Sequence, residues 1–394
     1  MKRFHSLDAL RASMMLLGVW LHTVVGYSAE GGWPYKDPNP TSVFDWTLGV
    51  IHTFRMPLFM AMAGFFGALL RERRGPGEFA SNRFRRIAIP FVAGWLAVIP
   101  LSFFLAVYSK TGQVSAAVGF FTSGAIVSHL HPGHLWFLEY LLVIYVIAHV
   151  ATKAVGLLPR ALVAAANATW RRAVESPLRA PMFAIPSAGT LVLMPGASLE
   201  DPPGFLPVPR IVLAYLVPFA FGWLLYVNRD LLPRLKNQAW PSLALAAALI
   251  GARALGVLVP VAAWGPAGHV IRAGATALTL WLLSFGLIGV FLRYAESERP
   301  LWRYLSDGSY WIYIAHMPVV MAFQIALAPV PLPTVAKVFL AVAGSALVLV
   351  ASYDLVARPT WIGALLNGRR YPRRYFVRRP PETDARSFSG APSE

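Results

Sequence analysis

Residues 8–22 read Asp8-Ala-Leu-Arg11-Ala-Ser-Met-Met-Leu-Leu-Gly-Val-Trp-Leu-His22 and lie inside the first long apolar segment. An arginine and a histidine are costly there, which marks them as functional candidates. The eleven steps from Arg11 to His22, at about 100° each, return to within roughly 20° of the same helix face, about 16 Å along the axis. Taken singly, Arg11 also reads as an interfacial anchor that snorkels and His22 as a satisfied core histidine. Their shared stripe favours the functional reading.

The 394-residue chain is 57% hydrophobic and only 13% charged, which excludes an ordinary soluble domain. Its apolar blocks, about 20 residues long and without period-2 alternation, select helices over a transmembrane barrel. The expected fold is all-α, a polytopic integral membrane bundle. The net charge of +17 is explained by arginines in short loops and in the tail, so nucleic acid is not an expected partner. The chain has no cysteine, which excludes disulfides, cysteine-ligated metal and a cysteine acyl carrier within it. Its N-terminus superficially resembles a signal peptide. Asp8, Arg11 and His22 interrupt that pattern, so the segment is expected to be a retained first helix.

Working outward, helix 1 is expected at about 6–28 and helix 2 at about 42–70. Residues 71–86 then read as a short loop with six arginines, the clearest cytoplasmic marker in the chain. Helix 3 is expected at 87–108, followed by a short apolar piece at 114–127 that is too short to span. Helix 4 starts near His134. A loop with Lys153, Arg160, Arg171, Arg172 and Arg179 precedes helix 5 at 181–198, which Pro186 and Pro195 interrupt. Helices 6 to 10 follow at 210–228, 239–258, 270–292, 307–327 and 334–356. Basic and acidic or neutral loops alternate, giving about ten spans with both termini cytoplasmic. Residues 1–358 form one transmembrane domain. Residues 359–394 read as a polybasic cytoplasmic tail, with Arg369, Arg370, Arg373, Arg374, Arg378 and Arg379 on anionic lipid, and a disordered end.

His22, His52 and His316 fall in three different expected helices. Arg55, three residues after His52, lies deep in helix 2, where it needs an anionic partner or a polar cavity. Arg83 and Arg86 at the cytoplasmic mouth of helix 3 are either a topology signal or an anion clamp, since guanidinium groups grip phosphate bidentately. His129, His131 and His134 invite a metal reading, but no Cys, Asp or Glu stands within that motif, and no metal is expected. Glu139 is a carboxylate inside an apolar helix, able to pair with an arginine or accept a proton. Ser306-Asp307-Gly-Ser309 resembles a helix cap, and Ser309 and His316, seven apart, share a face.

The Arg11-x10-His22 pair, Met62-Ala-Gly64-Phe65, Arg83-x-x-Arg86, His134-Leu-Trp-Phe-Leu and Ser309-Tyr-Trp-Ile-Tyr-x-x-His316 together resemble the membrane acyltransferase family 3. Ser6-Leu-Asp-Ala-Leu-Arg-Ala and His52-Thr-Phe-Arg-Met look most like its glucans biosynthesis protein C branch. The resemblance is strong in helices 1 to 4 and good in helix 9. It implies an O-acyltransferase of the bacterial inner membrane, moving an acyl group from cytoplasmic acyl-coenzyme A to hydroxyls of a periplasmic glucan. The donor implied is succinyl-coenzyme A or acetyl-coenzyme A, the glucan branch being associated with succinyl transfer, with no permanently bound cofactor. His22 and Arg11 map onto the catalytic pair, and Arg83 and Arg86 onto the donor-binding arginines. Arg55, His52, Glu139, His316 and Ser309 are the substrate-binding candidates. The family's Ser-Gly-Phe is Ala63-Gly64-Phe65 here, which removes any part for that serine hydroxyl. O-acetylation of lipopolysaccharide or another surface polysaccharide is the alternative acceptor reading, and a glycan or anion transporter the rival class. A homo-oligomer and a glucan synthesis complex both fit as assemblies.

Overall fold

The computed structural model describes residues 4–256 and 264–375. Among them the secondary structure is helical apart from one isolated bridge between Ser28 and Thr41. The helices are α1 (His5–Val24), α2 (Ser42–Arg83), α3 (Ile89–Thr111), α4 (Val114–Thr122), α5 (Trp136–Val155), α6 (Arg160–Glu175), α7 (Arg179–Leu191), α8 (Pro209–Val227), α9 (Leu232–Leu235), α10 (Ala239–Ala254), α11 (Gly265–Tyr294), α12 (Pro300–Leu327), α13 (Thr334–Ser352) and α14 (Trp361–Asn367).

Among the described residues, six helical runs are long and apolar enough to cross a membrane: Ser42–Thr111, Ala125–Val155, Pro209–Val227, Gly265–Tyr294, Pro300–Leu327 and Thr334–Ala357. α1 has 20 residues but is not one of them, because Asp8, Arg11 and His22 lower its hydropathy. The 70-residue run Ser42–Thr111 would extend about 105 Å if straight, over three hydrocarbon thicknesses. Gly75, at φ 79° and ψ 173°, breaks it, a conformation that glycine adopts without a Cβ clash.

Several local expectations change. Residues 71–86 are not a loop: α2 continues to Arg83 across the Gly75 break, and Phe84–Ala88 form a π-helical turn leading into α3. Pro76 directly follows the break, where a resuming helix needs no proline N–H. The basic segment expected between helices 4 and 5 holds the amphipathic α6, whose Trp170 packs on Phe183 and Phe221. α7 accommodates Pro186 and ends at Leu191, before Pro195. The cap reading of Ser306–Ser309 is overturned, since α12 begins at Pro300 and carries these residues in its interior. Arg299 is the extended N-cap there, and Gly308 lets α12 approach the Tyr353 ring. The last two residues of the expected 239–258 helix, and Arg378 and Arg379, lie outside the described residues. Up to residue 375 the tail packs on the bundle: the Asp354 carboxylate accepts the backbone N–H groups of Arg374 and Tyr375, each at 3.0 Å.

α1 lies alongside α12 with the same chain direction. Arg11 Nη2 donates to Ser306 Oγ at 2.7 Å near the start of both, and Gln324 Nε2 donates to the Thr23 carbonyl at 2.8 Å near their ends. α2 crosses α8 at a backbone-to-backbone contact. A Cβ on Gly64 would strike the Phe219 carbonyl, and one on Gly222 the Ala61 carbonyl. In a bilayer, where lipid is as apolar as leucine, such close small-residue contact is a principal source of helix association. Phe65, next to Gly64, is fully buried edge-on against Phe4 and Tyr226. In this chain the Gly64-Phe65 motif is therefore a packing device.

Gly222→Val should force α2 and α8 apart at a cost of about 1–3 kcal/mol or more, read as a lowered Tm in detergent. Gly251→Ala, where a Cβ meets nothing within 4 Å, should leave the Tm unchanged or slightly raised.

Candidate functional site

Five sequence-distant segments bring ionisable side chains to one cavity of about 50 Å³. α1 supplies His22, α2 His52 and Arg55, the turn before α5 His134, and α12 Tyr313 and His316; Asp201 closes it from the connection between α7 and α8. The His22 and His316 rings are 5.0 Å apart between centroids, and His134 and His316 4.9 Å. Gly18 lies one helical turn before His22, and a Cβ there would collide with the Arg55 guanidinium. Glycine at this place is what lets Arg55 lie against α1.

Carbonyl partners fix two of the imidazoles. His316 Nδ1 donates to the Tyr313 carbonyl at 2.7 Å, and His134 Nε2 to the Ile314 carbonyl at 3.1 Å. A carbonyl only accepts, so each ring bears its proton on the bonded nitrogen and a lone pair on the other. Those second nitrogens, His316 Nε2 and His134 Nδ1, are buried without a hydrogen-bond partner, as is His22 Nδ1. Tyr313 adds a third tie by donating its hydroxyl to the His134 carbonyl at 2.6 Å. Arg55 reaches the Met56 sulfur at 3.5 Å, while its buried Nε has no partner. A guanidinium with an unspent donor at the edge of a cavity is suited to hold an anion.

The outer side of His22 is covered. Trp33, in the loop after α1, stacks on the imidazole at 5.6 Å between centroids and 25° between planes. Its indole N–H donates to Gln324 Oε1 at 3.0 Å, and Gln324 Nε2 donates back to the carbonyls of His22 and Thr23. The loop is anchored further on by a buried ion pair of 3.1 Å between Asp37 and Lys337. His52 Nε2 approaches Asp201 Oδ2 at 3.7 Å. Desolvation alone would raise the Asp201 pKa, but His52 and the charge of Arg55 hold it below the ordinary carboxylate value.

The structure gathers His22, His52, Arg55 and His316 and leaves the other sequence candidates elsewhere. Arg11 faces α12 as His22 does, but it is ion-paired with Asp8 at 3.4 Å and bonded to Ser306, at the other end of α1. Ser309 Oγ donates to the Ser306 carbonyl at 2.7 Å and does not line the cavity. Glu139 is also outside it, with a buried, unpartnered Oε2. Arg83 donates to the Tyr145 hydroxyl at 3.2 Å and to Asn82 at 2.7 Å, its guanidinium over the Tyr145 ring. Arg86 rests against Gly368, and its carbonyl accepts the Tyr310 hydroxyl at 2.8 Å. Both belong to the end of the bundle away from His22.

Three cavity residues were not anticipated. His134 was visible within a histidine trio and as the start of the His134-Leu-Trp-Phe-Leu motif, but was not named as a site residue. In the structure His129 bonds to the Ala125 carbonyl and His131 accepts the Gly133 N–H, leaving His134 alone in the cavity. Asp201 read as an acidic loop marker, and Tyr313 stood inside the Ser309–His316 motif without being singled out for the site.

Residues 4–356 match the family model described as "Acyltransferase domain". Over 144 residues, 36% of this chain, the sequence is 27% identical to proteins named glucans biosynthesis protein C from Escherichia coli strain SMS-3-5 and from Escherichia coli O1:K1. The match spans 37% of the length of each of those relatives. No solved structure matches at a significant level.

A carboxyl whose pKa is depressed on folding stabilises the fold above its unfolded pKa and ceases to as pH falls through the folded one. Asp201→Asn should therefore lower the Tm relative to the parent at pH 5–8, the difference closing only below about pH 4. A Tm difference that is absent at pH 5–8, or that persists unchanged down to about pH 2–3, would remove Asp201 from the charge network of the site.

Proposed function

The chain belongs to the acyltransferase domain family, and we propose that it is a multi-pass membrane O-acyltransferase that moves a succinyl group from cytoplasmic acyl-coenzyme A to a periplasmic glucan hydroxyl. The observation that carries this reading is the meeting of His22, His316 and Arg55 at one cavity, with unpartnered nitrogens on all three.

In the proposed reaction His22 takes the proton of the acceptor hydroxyl as its oxygen attacks the thioester carbonyl. The carbon–sulfur bond then breaks, and the coenzyme A thiolate leaves with the proton that the imidazolium returns. The Arg55 guanidinium compensates the succinyl carboxylate, which would otherwise be a desolvated, unpaired charge. His52 and His316 border the space for the acceptor, entered from the side that Trp33 covers. Arg83 and Arg86, at the opposite end, hold the donor's phosphates. Arg11 fixes α12 against α1 through Ser306 and so sets the spacing of His22 and His316.

Ten passes with both termini cytoplasmic, in a bacterial inner membrane, complete the proposal. Its support lies in which helix ends meet. Arg71 contacts His149 at 3.3 Å, Arg229 pairs with Glu72 at 3.2 Å, Arg179 donates to the Arg234 carbonyl at 3.4 Å, and Lys236 pairs with Glu296 at 2.7 Å. These contacts gather basic ends on one side, as the positive-inside tendency requires. The contact of Asn39 with Thr334 lies before the start of α2, and that of Val192 with His269 at the end of α7 and the start of α11, the other ends of those three helices.

With purified protein, labelled succinyl-coenzyme A and a linear glucan, His22→Gln should lose about 10²- to 10⁴-fold in turnover while keeping coenzyme A binding and the parent Tm. Near-normal turnover in that variant would move proton abstraction away from His22. Arg55→Leu should lower succinyl transfer by at least about tenfold more than acetyl transfer, the value of one charge-assisted contact of about 1.5–3 kcal/mol. Equal losses with both donors would make Arg55 a structural residue.

A further inference from the structure

A second cavity, of about 540 Å³, opens at the end of the bundle where α12 begins. It is lined by Glu298, Arg303 and Asp307 from α12 and its approach, and by Arg358, Tyr371 and Arg374 from the segment after α13. Arg303 precedes His316 by thirteen residues on α12, about 20 Å along the axis, so this space is separate from the histidine cavity.

Its best-fixed side chain is Arg358. The guanidinium lies among three tyrosine rings, Tyr304 at 5.3 Å, Tyr353 at 5.9 Å and Tyr371 at 4.9 Å, and Nε donates to the Pro372 carbonyl at 2.8 Å. The side chain is only 9% exposed, yet Nη1 is buried with no hydrogen-bond partner. Asp354, 4.0 Å from Nε, gives both of its oxygens to the backbone N–H groups of Arg374 and Tyr375. A rigid, desolvated cation with an unspent donor beside a cavity is a costly arrangement unless an anion completes it. Arg303 is bound to Glu298 at 2.8 Å through one nitrogen. Arg303, Arg358 and Arg374 are matched in number by Glu298, Asp307 and Asp354, so what the site offers an anion is the unspent Nη1 donor of Arg358 rather than an excess of charge. The volume falls within the roughly 300–1,000 Å³ of small-molecule sites.

We propose that this cavity binds a phosphate-bearing anion of nucleotide or lipid-headgroup size, held by Arg358 at its base and by Arg303 and Arg374 at its rim. The proposal does not depend on acyl transfer, and its test scores none. The full chain would be placed in phosphatidylcholine nanodiscs and titrated calorimetrically with pyrophosphate and with adenosine 3′,5′-bisphosphate. A parallel sample containing phosphatidylglycerol would be examined by native mass spectrometry for retained lipid. At least one of the two ligand types should bind. Arg303→Ala and Arg374→Ala should each weaken it by about 10- to 100-fold, Arg358→Gln by at least as much, and the same-end control Arg293→Ala should not weaken it. Nucleotide binding lost in these variants assigns a soluble ligand, and retained phosphatidylglycerol lost in them assigns a headgroup; either outcome supports the site. The two rim variants replace side chains open to solvent and keep the test valid if Arg358→Gln fails to fold. Absence of both kinds of binding, or wild-type affinity in both rim variants, overturns the proposal.

Discussion

The pairing of α1 with α12 is the constraint on which the rest of the molecule depends. Both helices carry polar groups that lipid would not tolerate, and each satisfies the other's: Arg11 with Ser306 near the start, Gln324 with the His22 and Thr23 carbonyls near the end. Between these ties the two helices are held in register, and His22 meets His316. In water such contacts would be worth little, because solvent could replace them. In a bilayer the alternative is an unsatisfied polar group in hydrocarbon, so the register is set by hydrogen bonding while apolar packing fills the remaining surface.

Around that pair, small residues decide how near the other helices come. Gly18 leaves room for Arg55 beside α1, and Gly64 and Gly222 let α2 and α8 meet backbone to backbone. α2 therefore brings His52 and Arg55 to the cavity and at the same time joins the half of the bundle that contains α8. The aromatic core built on Phe65, Phe219, Phe221 and Trp281 is buried behind these contacts. It gives the site stiff walls, since rings packed edge to face have little room to shift.

The two ends of the molecule have opposite characters, and this makes a transfer across the bundle physically reasonable. Near His22 the chain is closed by Trp33, Asp37 and Lys337, with few exposed charges in the cavity itself. At the other end arginines crowd onto helix termini, the π-helical turn at Phe84–Ala88 and the segment after α13. Cations at that end attract anionic ligands and oppose translocation of the loops that bear them. In the proposed function one distribution of charge serves both topology and recognition.

Most of the architecture was legible in the sequence. Apolar blocks of span length fixed the helical class, and the ends of α8, α12 and α13 fall close to where turn residues and charges stop each block. The common face of Arg11 and His22 followed from helical period alone and is the face that α12 covers. Arg55 declared itself because an arginine deep in an apolar segment has no cheap explanation. Where local reading failed, the deciding contact was long-range. Ser306–Ser309 resembled a cap until Pro300 started the helix earlier, and residues 71–86 looked like a loop because their charges hid a helix broken at one glycine. Asp201 could not be found beforehand, and His134 and Tyr313 stood in quoted motifs without a place at the site, since the joining contacts come from far away in the chain: Ile314 for His134, and His52 for Asp201. Sequence determined which groups are too costly to sit in lipid. Only tertiary structure decided which of them share a cavity, because that depends on helix crossings set by Gly18, Gly64 and Gly222, where one absent Cβ brings two helices into contact.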